Sequence, residues 1–331
     1  MPRPLPALSL FALLGIPGLL GADRAPAADA LQARGDRGVL ILSQSSEGAR
    51  VLSADGGVQT APLPAGASLH SLQATAGGWT AAGTAPAAGG AQLLILSGNA
   101  AGTRALPVPA TTGFVREPVL LAAGGRIAAL AWIENEQVRS AERRATEWDA
   151  PRTVAGASAG MTMALAGSVL ADGTRVLLWS AFDGEDDEIY WSARRGDGDW
   201  SAPVRLAPDN TVPDITPAVR SLPGGALAAW SRFDGNEYEL VLSSFDGRVW
   251  SAPRRIAGAG ALRPSFPDLP GAPLLLYRAA RPLGWAVLAV NSGRISEVAR
   301  SSDRRTDRPR VERQESGAKL LWDGSPDARS E

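Results

Sequence analysis

A stretch of this chain recurs about fifty residues later, and that copy restricts the possible folds more than any other feature. "LLWSAFDGEDDEIYWSARRGDGDWSAP" begins at Leu177 and "AAWSRFDGNEYELVLSSFDGRVWSAP" at Ala228. Trp179 returns as Trp230, Asp183 as Asp234, Trp200 as Trp250 and Pro203 as Pro253, at offsets of 51, 51, 50 and 50. Fainter copies flank the pair. A Gly turn precedes an apolar run at Gly78, Gly125, Gly173, Gly225, Gly271 and Gly317, with gaps of 47, 48, 52, 46 and 46. Five of these runs end in an aromatic residue: Trp132, Trp179, Trp230, Tyr277 and Trp322. A proline closes most copies, at Pro62, Pro107, Pro151, Pro203 and Pro253. The sixth copy, near Glu297, has "RISEVAR" without one.

Each repeat divides into four short runs of strand character. In the fourth these are "MALAGSVL", "RVLLWSAF", "EIYWSAR" and "WSAPVRL". Asp-Gly and Gly-Gly pairs separate many of them, and such pairs accept the positive φ of tight hairpin turns. No segment after the first thirty residues sustains a 3.6-residue apolar period, so almost no helix is expected. A four-stranded sheet buries its faces only against neighbours, and a ring of such sheets does this without free edges. The chain therefore reads as all-β, a six-bladed β-propeller over residues 36–323. Pro62 precedes the first Gly turn and nothing closes the last. That order predicts N- and C-terminal strands sharing the closing blade. "GVLILSQ" and "ARVLSADGGVQTAPLP" would be its outer strands, and "RPRVERQ" and "AKLLWDG" its inner ones.

The bulk numbers exclude several functions. Net charge over 331 residues is −1, without the basic excess of a nucleic-acid binder. There is no cysteine, hence no disulfide, Cys-ligated zinc or lipid-modified cysteine. The single histidine, His70 in "SLHSL", rules out a multi-histidine metal site and reads as structural. No cofactor is implied. Residues 1–28 read as a secretory signal: Arg3, then the apolar "LPALSLFALLGIPGLL", then small residues that allow cleavage between 22 and 30. Export to the periplasm or outside is expected, with no membrane insertion after signal removal. A closed ring needs no partner to hide its edges, so a monomer is expected. The tail, 324–331, is expected to be disordered.

"SSFDGRVWSAP" (Ser243 to Pro253) and "RRGDGDWSAP" (Arg194 to Pro203) resemble the Asp-box (BNR) hairpins of sialidase-like propellers. Ser243, Gly247 and Trp250 fall in that family's register, while Asp246 stands one place late. "DNTVPDITPAVRSLPGGALAAWSRFDGNEYEL" (Asp209 to Leu240) is similar to TolB-like propeller repeats. The sialidase resemblance would imply three arginines on a substrate carboxylate, a tyrosine nucleophile with a glutamate partner, and an aspartate acid/base. None of Tyr190, Tyr238 and Tyr277 matches the nucleophile by motif, and no catalytic residue is assigned.

Two groups of binding candidates remain. Arginines stand near expected inner-strand starts: Arg116 in "VREP", Arg263 in "LRPS", and Arg308 and Arg310 in "DRPR". Bidentate guanidinium contacts suit a carboxylate, although a strand-end arginine is also an ordinary surface residue. The hairpins between second and third strands are acidic, with Glu134, Asp183, Asp187, Asp234 and Glu237 as candidates. They read as a cation or polar-ligand rim, or as solvated turns. No metal-ligand spacing is present. The recurrent tryptophans are expected in the core; Trp191 and Trp285 fit the repeat least and are candidates for an exposed contact. The function expected is non-catalytic binding of a glycan or an envelope protein on the acidic rim. A divergent sialidase-like hydrolase and a TolB-like periplasmic scaffold are the alternatives.

Overall fold

In a computed structural model, residues 31–321 are described apart from ten short internal stretches, the longest being 267–274 and 302–309. The signal segment, Trp322, Arg308 and the tail lie outside the described residues. Among the described residues every regular element is a strand.

Six antiparallel sheets follow one another along the chain, over 31–61, 68–105, 115–155, 162–205, 214–257 and 261–301. Each is a meander of four strands in sequence order; the third adds Glu147–Trp148 beside its third strand. The fourth repeat shows how closely the apolar runs map onto strands. Its strands are Thr162–Val169, Arg175–Phe182, Asp187–Arg194 and the short Val204–Arg205. Trp200 joins as a single bridge to Arg194, and Trp250 bridges Phe245 in the next sheet.

The first strand of each sheet touches the first strand of the next, from Leu31–Gly35 through Ser68–Thr75, Val115–Ala123, Thr162–Val169 and Asp214–Leu222 to Ala261–Ser265. These six strands form the inner wall. The apolar core is divided accordingly into five clusters, each built from two successive sheets. Trp132 and Trp230 are fully buried and Trp79, Trp179 and Tyr277 nearly so. A buried aromatic removes roughly 150–250 Å² from water, worth about 4–6 kcal/mol at 25 cal/mol/Å². That is why the second strands of the second to sixth sheets keep an aromatic although little else is shared.

The closure differs from expectation. The first sheet is completed within the N-terminal segment: Leu31–Gly35 pairs with Gly38–Ser45, and Gly48–Leu52 and Val58–Ala61 follow. "ARVLSADGGVQTAPLP" thus spans two strands, Gly48–Leu52 and Val58–Ala61, and the first described strand is Leu31–Gly35. Arg310–Gln314 and Gly317–Leu321 do pair with each other, but among the described residues they pair with no other strand. Arg310–Gln314 lies against the first two strands of the first sheet. The first sheet and the last described pair of strands are neighbours, not one sheet. The physical reason is occupancy: Leu31–Gly35 already pairs with Gly38–Leu42 along the edge that the C-terminal strands would have used.

Candidate functional site

The inner strands are not regular. In four of them two residues stand opposite one residue of the second strand. Glu117 and Pro118 oppose Trp132, and Ala164 and Leu165 oppose Trp179. Thr216 and Pro217 oppose Trp230, and Arg263 and Pro264 oppose Tyr277. These are β-bulges. In each the first residue is left-handed, with φ of 50° at Glu117, 51° at Ala164, 53° at Thr216 and 50° at Arg263. Side chains other than Gly, Asn and Asp rarely adopt that conformation, which costs about 1–2 kcal/mol. Proline at the second position fits, because a bulge leaves one residue without a ladder partner and proline has no N–H to leave unpaired.

All four bulge residues line one cavity of about 280 Å³. Arg116, Met161, Met163 and Pro264 complete its wall. Half of the lining is polar or charged and half apolar. The volume is near the lower end of ordinary ligand pockets, roughly 300–1,000 Å³. Arg116 forms an ion pair with Glu136, in the hairpin after the second strand of its own sheet. Glu136 Oε2 also accepts the Thr162 N–H at 2.6 Å, and its carbonyl accepts from Thr162 Oγ1 at 2.7 Å. The acidic hairpin of the third sheet thus grips the inner strand of the fourth and holds Arg116 at the cavity.

The other candidate carboxylates are engaged mostly by their own turns. Asp183 Oδ1 accepts from the Glu185 and Asp186 N–H groups, and its other oxygen pairs with Arg205 at 2.5 Å. Asp234 Oδ1 accepts from the Asn236 and Glu237 N–H groups, both at 2.9 Å. Glu134 accepts from the N–H groups of Thr112 and Gly113 and from Trp132 Nε1. Backbone N–H donation holds the Asp183 and Asp234 carboxyls below their usual range. At Glu134 burial pushes the other way, but the summed hydrogen bonds from Thr112, Trp132 and Gly113 leave its carboxyl lowered. Asp187 is half-buried and its carboxyl is raised by burial and by Asp183. Glu237 closes its hairpin through a backbone bond to Asp234. Arg263 is brought to the cavity with Arg116; Arg310 falls in the C-terminal hairpin.

A second polar group lies buried between the fourth and fifth sheets. Asp214 is fully buried and accepts two bonds from Arg232, each 2.8 Å. Glu188 is fully buried; its Oε1 accepts from the Asn210 N–H and Nδ2, while Oε2 has no hydrogen-bond partner among the described residues. Burial, reinforced by Asp214, pushes the Glu188 carboxyl up to about 7. Asp186 nearby is raised by burial and by the charges of Asp183 and Asp214, and burial also raises Asp214 against the pull of Arg232. Among the described residues no three Asp, Glu, His or Cys side chains are arranged to hold a metal ion.

No protein-family model matches the sequence, and no curated protein matches it. Solved structures do. The fucose-recognising fungal lectin of Aleuria aurantia, a six-bladed propeller, aligns over 92% of this chain and 100% of its own, with 11% identity and a TM-score of 0.52. The fold is that of a β-propeller. A puromycin-hydrolyzing peptidase from Mycobacterium tuberculosis aligns over 87% of this chain and 48% of its own, with 19% identity and a TM-score of 0.52. This chain therefore spans about half that peptidase's length. A Hadza microbial sialidase aligns over 80% of this chain and 66% of its own, with 14% identity and a TM-score of 0.48. At such identities the propeller likeness concerns fold alone.

None of the three tyrosines lines this cavity. Tyr190 stacks on Trp179 with centroids 6.3 Å apart, Tyr238 packs on Phe233, and Tyr277 is buried opposite its bulge. Trp191 is not an isolated exposed ring: it meets Phe245 at 5.3 Å and Trp250 at 6.0 Å, tying the fourth sheet to the fifth. The side chain of Trp285 lies outside the described residues. Sequence reasoning missed Glu117 and Thr216, and it placed Glu188 on an acidic hairpin without foreseeing its burial beside Asp214. The first two carried a signal, an X-Pro pair at the same place in three repeats: Glu117-Pro118, Thr216-Pro217 and Arg263-Pro264. Among the described residues no helix is long and apolar enough to cross a membrane.

Proposed function

We propose that this protein is an exported, non-catalytic binding propeller that takes a small glycan unit in the cavity between its inner strands. The observation that carries the reading is the cavity wall. Arg116, Glu117, Thr216 and Arg263 offer charge and hydrogen bonds, and Met161, Met163, Ala164 and Pro264 offer apolar contact. A sugar ring has the matching halves, hydroxyl edges and a C–H face. The acidic hairpin of the third sheet supports the mouth of this site through the Arg116–Glu136 ion pair. Two arginines without a tyrosine give a means of holding a ligand and no nucleophile for sialidase-type cleavage. The apolar leader of residues 1–28 supports export.

The test is a glycan array followed by calorimetry on the positives, with Arg116→Ala and Arg263→Ala alongside. Selective binding that weakens at least tenfold in both variants is expected, with no turnover of a fluorogenic sialoside. Turnover that disappears in the two arginine variants would replace this reading with the hydrolase. Capture of an envelope protein that is indifferent to both variants would replace it with the scaffold.

A further inference from the structure

The four cavity bulges share a backbone, with φ of 50° to 53° at Glu117, Ala164, Thr216 and Arg263. A bulge turns one side chain out of the strand's alternation, and backbone strain kept at a cavity points to positions that a ligand uses. The four differ in how far each side chain is already committed to the protein. Thr216 Oγ1 donates to Ser231 Oγ at 3.1 Å. Arg263 has an interaction of its own. Ala164 has no polar side-chain atom to commit. Glu117 is half-buried and, among the described residues, its carboxylate makes no hydrogen bond and no ion pair. The fold thus holds Glu117 in a strained conformation, at the cavity, without using its charge.

The rest of the wall sharpens this. Arg116 is paired with Glu136 and Arg263 is engaged, which leaves Glu117 as the charged group of the wall with no partner among the described residues. Thr216, having donated its proton to Ser231, keeps acceptor lone pairs. We infer that the cavity prefers a sugar bearing a free amino group, whose ammonium is taken by the Glu117 carboxylate. This rests on the cavity being the glycan site and narrows its ligand to a cationic amino sugar. A guanidinium has five N–H donors, so an engaged Arg116 or Arg263 still has some to offer the sugar hydroxyls. Met161, Met163, Ala164 and Pro264 meet the C–H face. The cavity is half open, and water reaches its wall. The ammonium–carboxylate contact is therefore that of a partly hydrated pair, about three- to tenfold in affinity and weakened by salt.

Calorimetry of the full chain at about pH 6 and low salt tests this with four probes. Glucosamine carries an ammonium at that pH. N-Acetylglucosamine has the same ring with a neutral amide, glucose has a hydroxyl there, and ethanolamine is an ammonium without a ring. Glucosamine is expected to bind about three- to tenfold more tightly than N-acetylglucosamine or glucose. Glu117→Gln should bring glucosamine down to the level of N-acetylglucosamine. Salt at about 0.5 M should compress the difference between the two sugars in the unsubstituted protein. Ethanolamine as tight as glucosamine would support the cation at Glu117 and overturn the sugar as its carrier. N-Acetylglucosamine or glucose as tight as glucosamine would overturn the inference and leave the glycan reading standing. A glucosamine preference that survives Glu117→Gln, or that salt does not touch, would overturn it equally. Failure of all four probes to bind would overturn it as well, while the glycan array decides the wider reading separately. The probe comparison and the salt series use the unsubstituted protein, so they decide the matter even if the variant fails to fold.

Discussion

Glu188→Gln isolates the electrostatics of the buried group between the fourth and fifth sheets. Glu188 is fully buried, one oxygen lacks a hydrogen bond among the described residues, and its carboxyl sits at about 7 against an ordinary 4.5. The groups that face it are Asp186, Asp214, Arg205 and, through Asp214, Arg232. Because the folded state binds this proton more tightly than the unfolded chain, its contribution is fully present below 4.5 and is lost as pH rises through 7. At about 1.36 kcal/mol per pH unit the gap amounts to roughly 3 kcal/mol as an upper bound. The raised carboxyls of Asp186, Asp187 and Asp214 act with the same sign from their lower starting value. The lowered carboxyls of Glu134, Asp172, Asp183, Asp234 and Asp246 act oppositely, losing stability as pH falls below the ordinary carboxylate range. Maximum stability is therefore expected on the acid side of neutrality, between about pH 4.5 and 6. Glutamine keeps the acceptor for Asn210 and places a permanent donor toward the neighbouring carboxylates. Urea unfolding from pH 4.5 to 8.5 should show the wild type losing up to about 3 kcal/mol and the variant losing much less, with the two equal near pH 4.5. A variant with the same pH slope as the wild type would refute the argument.

Further substitutions probe the ring itself. Glu142 is buried and paired with Arg175 at 2.9 Å and with the nearly inaccessible Arg194, so Glu142→Ala should cost about 3–5 kcal/mol in urea unfolding by leaving a buried guanidinium uncompensated. Ala164→Gly should raise stability by about 1 kcal/mol, since glycine removes the left-handed penalty at φ 51°; a loss of stability would show that the bulge is not strained. Removing residues from Pro309 onward uncovers the first sheet where the C-terminal hairpin lies against it, and should lower the melting temperature by roughly 5 °C or more. An unchanged melting curve would show that the hairpin contributes nothing to closure.

The repeat was legible because its marks are local. A Gly turn, an apolar run and a terminal aromatic each need only neighbouring residues to be recognised, and the strands Arg175–Phe182 and Gly225–Phe233 lie where those marks place them. The ring's closure was not, because Leu31–Gly35 has a single apolar pair of residues and follows directly on the leader's small residues. Composition also could not say what a carboxylate does once folded: Asp183 and Asp234 look like ligands, yet they accept bonds from N–H groups two and three residues ahead. The cavity residues were hidden for a further reason. Alternation along a strand records which side chains face the core, whereas a bulge is a slip of backbone register that alternation does not encode. The slip and the best-read residues are nevertheless one device. Trp132, Trp179, Trp230 and Tyr277 each stand alone against the two residues of a bulge. Their buried rings fix the second strand, so the extra residue of the first must bend inward. In these four repeats the aromatic thus marks a cavity-facing side chain on the neighbouring strand, and in three of them an X-Pro pair names it.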